Sequence, residues 1–192
     1  MAKKESTFGN MVLTLFTVTA VAALALGGVY NATKEPIEMA KRLKIEKAIG
    51  EVLPAFDRIE EYKILPEGSK DSLTFYKAFM ADIHIGTAVR SYTDQGFSGR
   101  IWIMAGFTDE NVIYGTSVLE HKETPGLGDK MERKKSDWPE VQFNGKSPEN
   151  FRLTVKKDGG DVDAITAATI TSRAFCDALQ RAYDELINQE GE

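Results

Sequence analysis

Hydroxyl side chains and small residues crowd the stretch Asp163-Ala164-Ile165-Thr166-Ala167-Ala168-Thr169-Ile170-Thr171-Ser172, immediately before a helical pattern near the C-terminus. At a helix N-terminus the unpaired N–H groups and the aligned peptide dipoles favour an anion. Thr171 or Ser172 suits the N-cap of such a helix. The stretch therefore reads two ways, as a phosphate site or as a well-capped helix after a turn. Residue types alone do not name a ligand. A second stretch, Glu120-His121-Lys122-Glu123-Thr124-Pro125-Gly126-Leu127-Gly128-Asp129, combines a Pro-Gly turn with two glycines flanking Leu127. Glycines there let a flat ligand approach the backbone closely. A plain β-turn is the other reading. The spacing is not that of a Walker loop, and Met131 stands where a dinucleotide fingerprint needs its third glycine. His121 alone reads as a strand-end residue rather than a catalyst.

The elements that must position these stretches follow from periodicity. Strand-like runs cover Leu73 to Ala78, Asp82 to Tyr92, Arg100 to Phe107 and Val112 to His121. Turn signals separate them, at Thr93-Asp94-Gln95-Gly96 and Asp109-Glu110-Asn111. Glu132 to Asn150 reads as irregular, Phe151 to Val155 as a short strand, and Lys157-Asp158-Gly159-Gly160 as a turn. A helix from about Ser172 to Asn188 carries Phe175, Ala178, Leu179, Ala182 and Leu186 on one face. Upstream, Glu35-Pro36 suits a helix start, and Ile45, Ala48, Ile49, Val52 and Leu53 recur at helical spacing before Pro54. Strands grouped in sequence with helices at both ends predict an α+β domain, not a doubly wound sheet.

Met11 to Tyr30, MVLTLFTVTAVAALALGGVY, contains no charged residue. Twenty helical residues span about 30 Å, the thickness of a bilayer's hydrocarbon core. The expected organisation is an N-terminal segment 1–10, a membrane span 11–30, an amphipathic connecting helix 31–54 and a β-rich domain 55–192. A cleaved signal peptide is the rival reading, with Ala23-Leu24-Ala25 as the small-residue site, but the apolar run exceeds a signal core. Basic residues outnumber those before the span on its C-terminal side, where Lys34, Lys41, Arg42, Lys44 and Lys47 mix with Glu35, Glu38 and Glu46. Long domains translocate largely regardless of such charge, so orientation stays open on this count.

Composition removes other classes. The net charge of -5 comes from well-mixed acidic and basic residues, without the basic density that nucleic-acid binding needs. A single cysteine, Cys176, excludes an intrachain disulfide and a Cys-rich metal site. With only His84 and His121, and no His-Glu-x-x-His spacing, the sequence does not point to a zinc hydrolase, and no metal is expected.

Taken together, the span, Glu-Thr-Pro-Gly-Leu-Gly-Asp-Lys at 123–130, Lys-Lys-Asp-Gly-Gly-Asp at 156–161 and the Thr-x-Ala-Thr-Ile-Thr box resemble the G subunit of Rnf complexes, which are ion-translocating ferredoxin:NAD oxidoreductases. The C subunit of the sodium-pumping NADH:quinone reductase shares the motif at 123–130 and the threonine box. The resemblance implies an electron-transfer subunit of an oxidoreductase complex, without independent catalysis. It implies FMN bound covalently through a phosphoester to Thr169, attached by a separate flavin transferase that uses FAD. Thr166, Ala167, Ala168, Ile170 and Thr171 would flank the attachment point. Glu123, Thr124, Gly126, Leu127 and Gly128 would contact the isoalloxazine or ribityl chain, with Lys156 completing the set. Asp163 matches an acidic position of the modification motif and is expected to serve recognition by the transferase. Implied partners are the other subunits, the transferase and membrane lipid. The implied location is the bacterial inner membrane, crossed once, with residues 1–10 in the cytoplasm and the flavin domain on the periplasmic or extracellular side. One departure stands out, because the family has glycine where this chain has Ala167; a helix-entry residue with negative φ would tolerate alanine. Alternatives are a C-type quinone-reductase subunit, a stand-alone extracytosolic flavoprotein, or a non-redox membrane-anchored assembly module.

Overall fold

A computed structural model describes residues 7–190 except 67 and 70. The expected N-terminal segment 1–10 therefore lies largely outside the described residues. The chain divides into two compact units, Met1–Leu43 and Lys44–Glu192. The described residues of the first are helical from Phe8, the early part of α1 (Phe8–Val52). Its apolar stretch is not covered by protein, and Leu13, Leu15, Phe16, Leu24 and Leu26 are all well exposed. The threonines of this stretch return their hydroxyls to the helix. Thr14, Thr17 and Thr19 donate to the carbonyls of Asn10, Leu13 and Leu15 at 2.7, 2.8 and 2.9 Å. A polar atom so satisfied costs little in an apolar medium. Length and composition suffice for α1 to cross a membrane.

The helix start expected at Glu35-Pro36 is not observed, because α1 continues through Pro36. Proline removes one backbone bond and crowds the preceding turn, at about 3 kcal/mol. Strong helix formers on both sides, Ala32, Lys34, Glu35, Glu38, Met39 and Ala40, favour continuity over a break.

The second unit is α+β, as expected. Five strands form an antiparallel meander in the order β1-β2-β3-β4-β5: β1 (Arg58–Ile64), β2 (Leu73–Met80), β3 (Ile83–Gly96), β4 (Gly99–Thr108) and β5 (Ile113–Glu120). Alternation along the central strands divides the core between two faces. Phe75, Val89, Ile103, Ala105 and Phe107 face a cluster with Phe175, Leu179 and Leu186 of α3 (Thr169–Glu190). Tyr76, Ala88 and Met104 face the other way, against Ala48, Ile49 and Val52 at the end of α1. The approach of α1 is close enough to require glycine at Gly106, where a Cβ would stand 1.7 Å from the Val52 carbonyl oxygen. Gly106 lies opposite Gly115 in the β4–β5 register, so the two glycines make one shallow seat.

Differences from the sequence pattern have local causes. β1 escapes that pattern, since Arg-Ile-Glu-Glu-Tyr-Lys-Ile is a charged edge strand with weak alternation. Residues Phe151 to Val155 do not form a strand and contribute only an isolated bridge between Val155 and Val162. Within Glu132 to Asn150, the short helix α2 (Trp138–Phe143) has Pro139 in its first turn, where the missing N–H is harmless. β3 runs on through Gly96, beyond the expected turn, because Gly96 pairs with Gly99 and only Phe97 and Ser98 make the bend.

Candidate functional site

α3 begins at Thr169, not near Ser172, and this changes the assignment of the hydroxyls. The Ser172 N–H bonds the Ala168 carbonyl at 3.0 Å, the first helical bond, which places Ala168 at the cap. Neither Thr171 nor Ser172 is the N-cap, because both hydroxyls are occupied inside. The Ser172 hydroxyl accepts from the Ile165 N–H at 2.9 Å and donates to the Ala168 carbonyl at 3.1 Å. The Thr171 hydroxyl donates to the buried Glu123 carboxylate. Among the described residues the Thr169 hydroxyl has no hydrogen-bond partner, and its residue lines a cavity of about 330 Å³. That volume lies in the range of small-molecule sites.

Two turns shape the cavity. In Thr124-Pro125-Gly126-Leu127 the Leu127 N–H reaches the Thr124 carbonyl at 3.2 Å, with Gly126 at φ +78. Proline then glycine at the centre is the pattern of a type II turn. Ile165-Thr166-Ala167-Ala168 repeats it, with the Ala168 N–H on the Ile165 carbonyl at 2.9 Å and Ala167 at φ +64. The expectation of negative φ at Ala167 is overturned. The third residue of this turn must be left-handed, which is why glycine suits it. Alanine there costs about 1–2 kcal/mol in strain. Glycine would relieve the strain but add about 0.4–1 kcal/mol of unfolded-chain entropy. Ala167→Gly is therefore expected to raise the thermal midpoint by about 1–4 °C. A lower midpoint in calorimetry would show that the left-handed turn is not strained.

Glu123 braces the site. One carboxylate oxygen accepts from the Ser98 N–H at the β3–β4 bend, at 2.8 Å, and the other takes the Thr171 hydroxyl. Three segments distant in sequence are thereby tied to one buried anion. Gly128 leaves room for it, since a Cβ there would stand 2.8 Å from both the Glu123 Cβ and the Thr171 Oγ1. His121 holds the same loop. Its Nδ1 accepts from the Glu123 N–H at 3.0 Å, so Nε2 carries the proton donated to Glu132 at 2.6 Å.

The cavity is lined by Phe97, Glu123, Thr124, Leu127, Gly128, Ala167, Ala168, Thr169, Ile170 and Thr171. Thr166, Gly126 and Lys156 are not in the lining. Lys156 instead pairs with Asp163 at 2.7 Å on the surface. Asp163 is itself fixed, its N–H on the Gln142 side chain at 2.8 Å and its carbonyl on the Trp138 indole at 2.6 Å. Phe97 is a lining residue that the sequence does not flag, because a lone aromatic in a hairpin bend offers little signal. Behind the site, the Arg173 guanidinium holds the Asp158 carboxyl below its usual range through bonds of 2.6 and 2.8 Å. This pair ties the Lys156-Lys157-Asp158 turn to the first turns of α3. Burial pushes the Cys176 thiol up to about 12, which keeps it protonated and unreactive.

Residues 96–184 match the FMN-binding domain family. The G subunit of the ion-translocating oxidoreductase complex of Aliivibrio fischeri (strain MJ11) is 35% identical over 184 residues, covering 90% of this chain and 86% of that protein. The G subunits of Erwinia tasmaniensis and Cronobacter sakazakii are 37% and 36% identical over 178 residues, covering 86% of this chain and 84% and 85% of theirs. The chain belongs to the family of G subunits of ion-translocating oxidoreductase complexes. The C-type and stand-alone readings give way to this membership. Every residue lining the cavity lies within the stretch that matches the FMN-binding domain. The G-type relatives align over nearly the whole chain, so the shared region includes most of α1 as well as the β-rich unit.

Proposed function

We propose that this chain is the G subunit of a membrane-bound, ion-translocating ferredoxin:NAD oxidoreductase of the Rnf type, relaying electrons through FMN esterified to Thr169. The observation that carries this reading is the Thr169 hydroxyl at the start of α3, without a hydrogen-bond partner among the described residues, on a residue lining a cavity within the FMN-binding match. The attachment balances as a transfer from FAD. Thr169 Oγ forms a bond to the phosphorus of the FMN half, the pyrophosphate bond breaks, AMP leaves and the hydroxyl proton is released. A flavin transferase would supply the catalyst.

The site fits the group on its own terms. Free N–H groups in the first turn of α3 and the helix dipole would hold the phosphoester. Ala167 and Ala168 leave space around the hydroxyl, and Glu123, Thr124, Leu127 and Gly128 would hold the rest of the cofactor. Thr166 and the Lys156–Asp163 pair are exposed outside the cavity lining, suited to recognition by the transferase. Flavin, once bound, supplies the reversible redox chemistry, and the chain's task is to hold and orient it. A non-redox assembly module has only the bare anion site in its favour.

The exposed apolar stretch of α1 supports a membrane anchor. We assign the flavin domain to the periplasmic or extracellular side, with an uncleaved single span. The full chain carrying alkaline phosphatase at its C-terminus tests both assignments at once. Phosphatase activity is expected, with a fluorescent flavin band surviving a denaturing gel. An inactive phosphatase would overturn the side, and a dark band would overturn covalent flavin.

A further inference from the structure

We propose that Phe97 is a ring-packing residue of the cofactor site, its phenyl group shielding the flat isoalloxazine ring; this rests on the FMN reading above. Three large apolar side chains on the cavity wall remain exposed: Phe97 at 67%, Ile170 at 46% and Leu127 at 41%. They come from three segments, the β3–β4 bend, the first turn of α3 and the loop after β5. Single exposed apolar residues are ordinary, but three converging on one cavity mark a surface built to be covered.

The bend that carries Phe97 is held firmly. Gly96 pairs with Gly99, and a Cβ at Gly96 would meet the Gly99 carbonyl oxygen at 2.1 Å. Next to Phe97, the Ser98 N–H is anchored on Glu123 at 2.8 Å. Two-residue hairpin bends favour Gly, Asn and Asp, which meet their backbone demands and tolerate water. A phenyl ring at this position satisfies neither preference, and two thirds of its surface stays exposed. What it offers is a flat apolar face on the rim of the cavity. Aromatic faces pack best on another flat ring, in offset or edge-to-face contact. Glu123 connects the parts, because the same carboxylate fixes the bend beside Phe97 and the α3 turn that carries Thr169.

The test uses the full chain in detergent, produced together with a flavin transferase, as wild type, Phe97→Ala and Phe97→Trp. Intact mass reports attachment, and iodide quenching of flavin fluorescence reports access to the ring. Phe97→Ala is expected to keep its adduct and thermal midpoint while the quenching constant rises about twofold, since an aromatic side chain covers on the order of 150–250 Å². Phe97→Trp should restore shielding. An alanine variant with unchanged quenching and absorption would overturn the proposal and give the ring to a protein partner. Loss of the adduct in that variant would overturn it too, by placing Phe97 in attachment. A wild-type chain without any adduct would instead sink the FMN reading itself.

Discussion

Thr169→Ala is expected to remove covalent flavin completely while leaving the fold intact. The Thr169 hydroxyl makes no hydrogen bond among the described residues, so deleting it breaks no bond among them. Its neighbours differ in this respect. Thr171 holds Glu123, and Ser172 holds Ile165 and Ala168, so alanine at either position would disturb the cavity wall as well. Thr169→Ser keeps the nucleophilic oxygen and should retain attachment. Intact-protein mass spectrometry reads all three cases. An adduct persisting on Thr169→Ala would move the attachment point elsewhere.

Gly128→Val is expected to be the most damaging change in the loop. A Cβ already meets the Glu123 side chain and the Thr171 hydroxyl at 2.8 Å, and valine adds two methyl groups. Overpacking costs about 1–3 kcal/mol. Loss of the buried Glu123–Thr171 bond adds about 1–3 kcal/mol. The midpoint should fall by roughly 5–15 °C, and attachment should be largely lost. Gly126→Ala provides the contrast. A Cβ there meets nothing within 4 Å, so only its φ of +78 is penalised, at about 1–2 kcal/mol. Attachment should survive. Equal behaviour of the two variants in thermal unfolding and mass spectra would mean the loop is only a turn.

The contrast between these glycines shows what sequence can and cannot convey. Glu-Thr-Pro-Gly-Leu-Gly marks a loop that lines the cavity, but not which glycine turns the chain and which makes room. That division depends on Thr171, far downstream of Gly128, and no local pattern encodes it. Glu123 is a similar case. It lines the cavity, and both its oxygens are also taken by Ser98 and Thr171, a bracing role that the sequence does not show. The left-handed backbone at Ala167 follows from a turn that the hydroxyl-rich stretch disguises as helix entry.

The fold divides along the same line. Strands β2 to β5 and the apolar face of α3 are legible because burial imposes alternation and helical spacing on their residues. The edge strand β1 is not, since an edge favours charge over alternation. Pro36 suggests a break that the surrounding helix formers override. The end of α1 is legible too, because Ala48, Ile49, Val52 and Leu53 sit where their spacing puts them, in the core against the sheet.

Covalent FMN on Thr169 can be tested on one peptide. Trypsin cleaves after Lys157 and Arg173, releasing residues 158–173 with Thr166, Thr169, Thr171 and Ser172 together. Taken from the full chain produced with a flavin transferase, this peptide should carry the mass of one esterified FMN, and its fragment ions should place the adduct on Thr169. An unmodified peptide, or an adduct on any of the other three hydroxyls, would contradict attachment at Thr169.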